Sequence, residues 1–434
     1  MPPPPSEPPA PRTPPPPATP PGPGRGTPRS QGSRPSVLRN HNYRLFLAAQ
    51  ICGGTGTWML RLSQDWLVLE LTGSSAAVGI IVALQFVPLL ALGPLGGVLA
   101  DRHDKRRLVM GAQSCATVLA ATLATLTITG LVSVPLLYLF AVLSGLVAVI
   151  DQPARQVLVS ELVGDAQLRS AISTNNALTQ LSGMIGPALA GILIHQVGEG
   201  WAFAANAALC GTVVALVASM RRSDMQPGPT ASRARGQLKE GFRYILDRPR
   251  LLWVVLLAGV MGAFGMNGPV VLAAFADFEW ETGSGGFGLY NSVGAVGGLL
   301  GAVAAARIKN LRVQTVVLGA AIFGAVEILA ALAPTQWSFL LLLACVGAAT
   351  LFFLTCAATY TQVTAEPAVR GRVMAVYMPL LLGGHAAGGL LQGAFTEHLG
   401  VRPGLVITGC LALTATAGVA LALARSGRKH RPAS

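Results

Sequence analysis

From Tyr43 almost to the carboxyl end, long apolar runs follow one another with only short polar breaks. A helix needs about 20 apolar residues to cross the hydrocarbon core of a bilayer. The runs are continuous rather than alternating, which excludes barrel strands as the spanning element. Twelve spans are predicted: 43–70, 76–100, 107–130, 134–152, 167–195, 201–220, 250–276, 284–306, 312–333, 337–362, 371–396 and 401–424. The expected fold is an all-α membrane protein with twelve transmembrane helices in two pseudo-symmetric six-helix bundles. The first bundle would cover 41–220 and the second 250–424.

The segments outside the spans differ sharply in character. Residues 1–40 hold more than half of the 30 prolines and almost no large apolar side chain. Such a stretch cannot bury enough surface to offset its ordering entropy and reads as a disordered, polyproline-like tail. The linker 221–249 divides the spans six to six. Within it, Leu238, Phe242 and Ile245 recur at helical spacing among Arg235, Lys239 and Arg243, the pattern of an amphipathic helix lying on a membrane surface. Residues 425–434 form a short basic tail.

Composition changes the picture only by confirming its class. The 434 residues are 52% hydrophobic and 11% charged, where a soluble domain carries about 25% charged residues. The net charge of +13 does not point to nucleic acid, since no basic patch is interleaved with aromatics on a reading module. Its distribution has another cause. Every lysine and arginine except Arg61 and Arg402 falls in the two tails or in loops on one side of the predicted topology. That bias predicts a multi-pass membrane protein with both termini and the central linker on the cytoplasmic side. No cleavable signal peptide is visible. The six cysteines lie in apolar runs without metal-ligand spacing and read as buried free thiols. No metal or cofactor is expected.

The halves echo each other at an offset near 204 residues. Gly97 and Ala100 fall against Gly301 and Ala304, and Leu168-Arg169-Ser170-Ala171 falls against the Gly371–Ala375 stretch. Two related six-helix halves around a central path are a common transporter plan.

Four segments carry the chemistry. Gly93 and Gly97, four apart in Gly93-Pro-Leu-Gly-Gly-Val-Leu-Ala-Asp101, share a helix face and permit close contact, with Asp101 ending the helix before a basic turn containing Lys105 and Arg106. Asp151-Gln-Pro-Ala-Arg155 closes the fourth span. In the fifth, Pro187 frees a backbone carbonyl and bends the helix, while Gly183, Gly186 and Gly191 allow tight packing around the bend. In the first, Arg61 and Asp65 lie one turn apart, with Trp58 and Gln64 beside them.

The loop after the second span resembles the signature loop of the major facilitator superfamily. Arg44-Leu-Phe, Trp66-Leu-Val-Leu-Glu-Leu-Thr-Gly-Ser74, the Asp151–Arg155 segment and Gly241-Phe-Arg-Tyr-Ile resemble its bacterial transmembrane secretion effector and drug:proton antiporter branches. The resemblance implies a conformational latch built from Gly93, Gly97, Asp101, Lys105, Arg106, Asp151 and Arg155, with Asp151 and Arg155 pairing with the basic turn and with Asp101. Asp104 stands where the family pattern often has glycine. The glycine-proline segment of the fifth span resembles the exporter motif, with Ala190 in place of one terminal glycine.

Ionisable residues inside a membrane are functional candidates. Two readings of Arg61 and Asp65 stand: a proton-exchanging pair in the central cavity, or a static ion pair near the outer interface. Asn176, Gln180, Tyr377 and His385, with Trp58 and Gln64, are candidate cargo contacts, though polar side chains also hold helices together. Glu327 reads as structural. There is no phosphate-binding loop or nucleophile elbow, so no enzyme is expected. The overall expectation is a secondary transporter, working as a monomer, that exports a small amphipathic molecule in exchange for protons. Import of a polar nutrient, or a non-transporting receptor or assembly partner, are the alternatives.

Overall fold

The computed structural model describes residues 40–163, 165–221, 237–366 and 369–428. The proline-rich tail, most of the linker and the last residues of the basic tail therefore lie outside the described residues, as do the side chains of Asp101, Arg169, Asn176 and Lys239.

The described chain is helical throughout. The first six helices are α1 (His41–Thr72), α2 (Ser75–Arg102), α3 (Lys105–Ile128), α4 (Val134–Leu162), α5 (Asp165–Val197) and α6 (Glu199–Ala218). A short α7 (Gln237–Leu246) follows. Then come α8 (Pro249–Gly265), α9 (Gly268–Ala274), α10 (Gly283–Ala306), α11 (Val313–Ala331), α12 (Gln336–Thr364), α13 (Arg370–Leu399) and α14 (Val401–Arg428). Eleven segments are long and apolar enough to cross a membrane; α8, α9 and a π-helical turn at Phe275–Glu279 count as one. The twelfth member is α1, which is 32 residues long, or about 48 Å at 1.5 Å per residue. Its Arg61, Gln64, Asp65 and Glu70 dilute its apolarity, yet it packs between α5 and α6.

Helix ends follow local chemistry. The Asn40 side chain accepts from Tyr43 N at the start of α1, and Gly73 at φ 61° ends that helix in the left-handed conformation that glycine adopts without a Cβ clash. Ser74 caps α2. Contrary to the expectation that Asp101 ends the second span, α2 continues to Arg102, and it is Asp104 that accepts from Arg107 N to cap α3. An aspartate at this turn does what a glycine cannot, because its carboxylate satisfies an otherwise unpaired helix amide. The seventh span differs most from its prediction. It breaks at Met266–Asn267 and resumes at Gly268. The fourth span also runs ten residues past its predicted end, since the Pro153–Leu162 stretch stays helical.

Shifting α1–α6 by about 204 residues lays each upon its counterpart among the later spans: α2 on α10, α5 on α13, α3 on α11 and so forth. The two bundles meet where α2 packs on α13 and α5 on α10, so the seam respects the same pseudo-symmetry. The free cysteines depart from the sequence reading. Cys210 and Cys356 are buried, but Cys115, Cys345 and Cys410 are exposed on the flanks of the bundle, where an apolar thiol can face lipid.

Candidate functional site

The start of α1 and the end of α14 lie at one end of the bundle, here the proximal end; the other is the distal end. Buried apolar residues divide accordingly. One core joins both bundles in the distal half, and it contains Trp66 and Phe203 of the first with Phe275, Phe287, Tyr290 and Phe339 of the second. Proximally each bundle has its own core, around Tyr43, Phe46 and Leu158 in the first and around Val254, Phe323 and Phe353 in the second. Among the described residues the halves thus share one apolar core distally, a weld, and have separate ones proximally.

The weld depends on absent side chains. A Cβ on Gly79 of α2 would strike the Gly389 carbonyl of α13, and Gly191 of α5 faces Gly288 of α10 closely enough that a Cβ on either would lie 2.8 Å from the other's Cα. The Trp66 ring lies 5.8 Å from that of Phe287 across the seam, tilted by 30°. The Glu397 carboxylate of α13 accepts from Ser75 N at 2.8 Å and Ala76 N at 3.4 Å, capping the N-terminus of α2 in the opposite bundle.

At mid-height the seam and the first bundle share a polar cluster. Gln85 of α2 donates to Gln64 Oε1 at 3.2 Å and to Asp65 Oδ1 at 3.3 Å. Both α1 residues are buried. The Arg61 guanidinium lies 4.5 Å from the Phe86 ring centre and 5.7 Å from that of Trp58. Aromatic faces attract a cation, and more strongly where water is excluded. His385 of α13 meets the Phe86 ring edge-on at 4.2 Å. The structure therefore brings together Trp58, Arg61, Gln64, Asp65 and His385 among the predicted residues. It adds Gln85 and Phe86, which sequence reasoning missed. Asp65 is held by a neutral amide, and among the described residues no salt bridge of 4.0 Å or less joins it to Arg61.

Other candidates lie apart. Tyr377 is buried two helical turns away from His385 on α13, with its hydroxyl unpaired. Gln180 is half-buried on α5, proximal to the weld. Glu327 is buried between α11 and α14, where Thr408 donates to it at 3.4 Å.

The expected latch is arranged differently from its prediction. Arg155 donates to Asp151 at 2.7 Å within α4, and its Nη1 reaches Gln50 Oε1 of α1 at 3.4 Å. Gly53 makes room for that guanidinium. Lys105 pairs with Glu161 at 3.2 Å, and Arg106 donates to the Val217 and Ala218 carbonyls at the end of α6. A basic side chain satisfying final helix carbonyls is a favourable C-terminal cap. The basic turn thus binds α4 and α6 rather than Asp151. The glycine contact is also shifted by a residue pattern: Gly93 faces open space, whereas Gly96 packs on the Val149 backbone of α4. On α5, Gly183 and Gly186 receive the Trp58 side chain and Gly191 serves the weld, while the helix continues unbroken through Pro187.

A family model described as transmembrane secretion effector matches residues 33–430. The macrolide efflux protein A of Streptococcus pyogenes is 24% identical over 365 residues, covering 81% of this chain and 89% of that protein. The staphyloferrin A transporter of Staphylococcus aureus is 26% identical over 163 residues, or 37% of this chain, which spans only 41% of that protein. The enterobactin exporter of Escherichia coli is 24% identical, covering 63% of this chain and 66% of that one. Among solved structures, a bacterial homologue of the human lysosomal transporter Spinster, inward-facing and occupied, matches with a TM-score of 0.73 and 15% identity. It covers 91% of this chain and 98% of that one.

Proposed function

Because this chain belongs to the transmembrane secretion effector family of the major facilitator superfamily, we propose that it exports a small amphipathic molecule by alternating access, driven by proton exchange at Asp65. The family is one of membrane transporters, not enzymes, and the chain is a multi-pass membrane protein. One observation carries the reading: a buried carboxylate, Asp65, sits among Gln64, Gln85 and the ring-covered Arg61, beside the Trp66 ring that meets Phe287 across the seam. An acid there can bind a proton while the pathway faces one side and lose it while it faces the other. The efflux activity named for the macrolide and enterobactin relatives fits this direction. The few charged groups along the seam suit amphipathic cargo better than sugars or anions.

In this reading the basic proximal end is cytoplasmic. The welded distal end then closes the outer side, and the separate proximal cores allow the halves to part on the inner side. The test is flux in proteoliposomes with an imposed pH gradient, using erythromycin and ethidium as probes. Gradient-driven efflux should appear with the native chain and collapse in Asp65→Asn, which keeps the size and the hydrogen bond to Gln85 but cannot titrate. Undiminished gradient-driven efflux by that variant overturns Asp65 as the carrier.

A further inference from the structure

Inside the first bundle, between α1, α3, α4 and α6 and reaching α2, lies a cavity of about 90 Å³ that neither the seam nor the proposed cargo path accounts for. Its polar lining includes Arg61, Gln64, Gln85, Gln113, Asp151 and Asn206. Three of these present buried atoms without a partner: Gln64 Nε2, Gln113 Oε1 and Asp151 Oδ1. Gln64 is wholly buried and Gln113 is 5% exposed. Buried polar atoms are nearly always satisfied, by protein or by water. A cavity of this size has room for several waters, and a polar lining supplies the two to four partners that each water needs.

The position of this cavity matters more than its size. One end is bounded by Gln64 and Gln85, whose amide donates to Asp65. The other is bounded by Asp151 and the exposed Gln152 of α4. Gln113, Asp151 and Gln64 set polar stations along a wall otherwise built largely of apolar side chains such as Leu60, Leu119 and Phe140. Toward the seam, by contrast, the flanking rings of Trp66 and Phe86 are packed on Phe287 and His385 of the second bundle. Asp65 itself is not in the lining; it meets the cavity through its neighbour Gln64 and through Gln85, on the side away from the seam.

We propose that this cavity is a hydrated proton path, running from Asp65 through waters held by Gln64, Gln85, Gln113 and Asn206 to Asp151. This rests on Asp65 being the proton carrier. The O–H bond of the Asp65 carboxylic acid breaks and the proton passes to the adjoining water. That water releases one of its own protons to the next, and the last proton leaves to solvent at the Asp151 end. Asp65 is left as a carboxylate, and no other reactant is consumed. The charged and titratable groups facing the path are Arg61, Asp151 and Cys210, with Arg155 behind Asp151 and His385 beyond Phe86. Arg61 repels an excess proton, so the passage next to Asp65 favours release once cargo or closure changes its position.

Two cargo-independent measurements test this. X-ray hydroxyl-radical footprinting of the intact protein in lipid should modify Cys210 and Phe140, which line the cavity but are 6% and 7% exposed, because bound water is the radical source. Infrared difference spectra, with the Asp65 band assigned by its loss in Asp65→Asn, should show rapid hydrogen–deuterium exchange of the Asp65 acid. Ala120→Leu, which fills the cavity, should suppress the footprint and slow that exchange about tenfold, a change of about 1.4 kcal/mol in barrier. Gln113→Leu removes a polar station at similar volume and should slow it too. An unmodified Cys210 and Phe140 overturn the hydrated path. Labelled residues with unslowed exchange in both variants also overturn it and leave Asp65 as carrier by another route. Absence of any band lost in Asp65→Asn overturns the carrier reading itself, and the path loses its terminus.

Discussion

The Glu397 carboxylate caps the first amides of α2 at Ser75, reaching across the seam between bundles with an Oε2–N distance of 2.8 Å. Few contacts are so well placed to register whether the distal weld is shut. The N-terminus of a helix carries unpaired amides and a partial positive charge, so an anion there is stabilising. Glu397 belongs to α13 and the amides to α2, hence the stabilisation exists only while the halves touch.

Glu397→Gln should therefore favour distal opening. Loss of a partly exposed carboxylate at a helix N-terminus costs about 1 kcal/mol, which moves a two-state population by about fivefold. The change is measurable as increased distal spin-label distances between α2 and α13 in lipid nanodiscs. Unchanged distance distributions would show that the cap contributes nothing to closure.

The weld also predicts a contrast between two glycines of α2. Gly79 faces the Gly389 backbone with no room for a methyl group, whereas Gly93 faces open space. Gly79→Ala should force the seam apart and sharply reduce transport. Gly93→Ala should be tolerated and even stabilise the helix by about 0.5–1 kcal/mol. Transport and thermal unfolding of the two variants, measured side by side, check the ordering; the reverse order would mean that the loop pattern, not the seam, governs this helix.

Much of this architecture was legible because the bilayer imposes a simple demand. Long apolar runs must be helices, so the approximate placement of the spans followed from hydropathy, and the 204-residue echo from residue matches in equivalent loops. Side-chain partners were less accessible. Lys105 and Arg106 are recognisable as a basic turn, but nothing local shows that one reaches Glu161 and the other the end of α6, more than 100 residues on. Gln85 and Gln113 are isolated polar residues in apolar helices, a signal that could have flagged them; Glu397, just past the end of a predicted span, carries no local mark of its partner on α2. Gly93 and Gly96 illustrate the limit of spacing arguments. Spacing assigns a common face, but which face meets α4 depends on helix rotation, which the packing of α2 on α13 helps to set.

The break in the seventh span gives a third prediction. Asn267 is fully buried where α8 stops, and its Nδ2 donates to Ala263 O at 2.7 Å and Gly262 O at 3.4 Å. These carbonyls lose their helical partners at the break, so the side chain replaces the missing amides. Asn267→Leu leaves them unpaired in an apolar setting at a cost of about 1–3 kcal/mol. A clearly lowered apparent melting temperature in detergent is expected, with Asn267→Asp less damaging than leucine only if its acid stays protonated and donates. A leucine variant as stable as the native chain would mean that water or a resumed helix satisfies those carbonyls.

The pair of Lys105 and Glu161 yields a prediction of a different kind. Their side chains are 15% and 13% exposed and 3.2 Å apart, joining the start of α3 to the end of α4. Both helices belong to the first bundle, so this bond need not break when the seam opens. It should therefore contribute to bundle stability without biasing the conformational equilibrium. Lys105→Glu or Glu161→Lys alone places like charges together and should cost about 1–2 kcal/mol, between the limits for exposed and buried pairs. The double exchange should restore most of that loss, the signature of a direct interaction. Distal spin-label distances should stay as in the native chain for all three variants, in contrast to Glu397→Gln. If either single exchange shifts those distances and the double exchange reverses the shift, the pair is part of the gate and not merely a brace within one half.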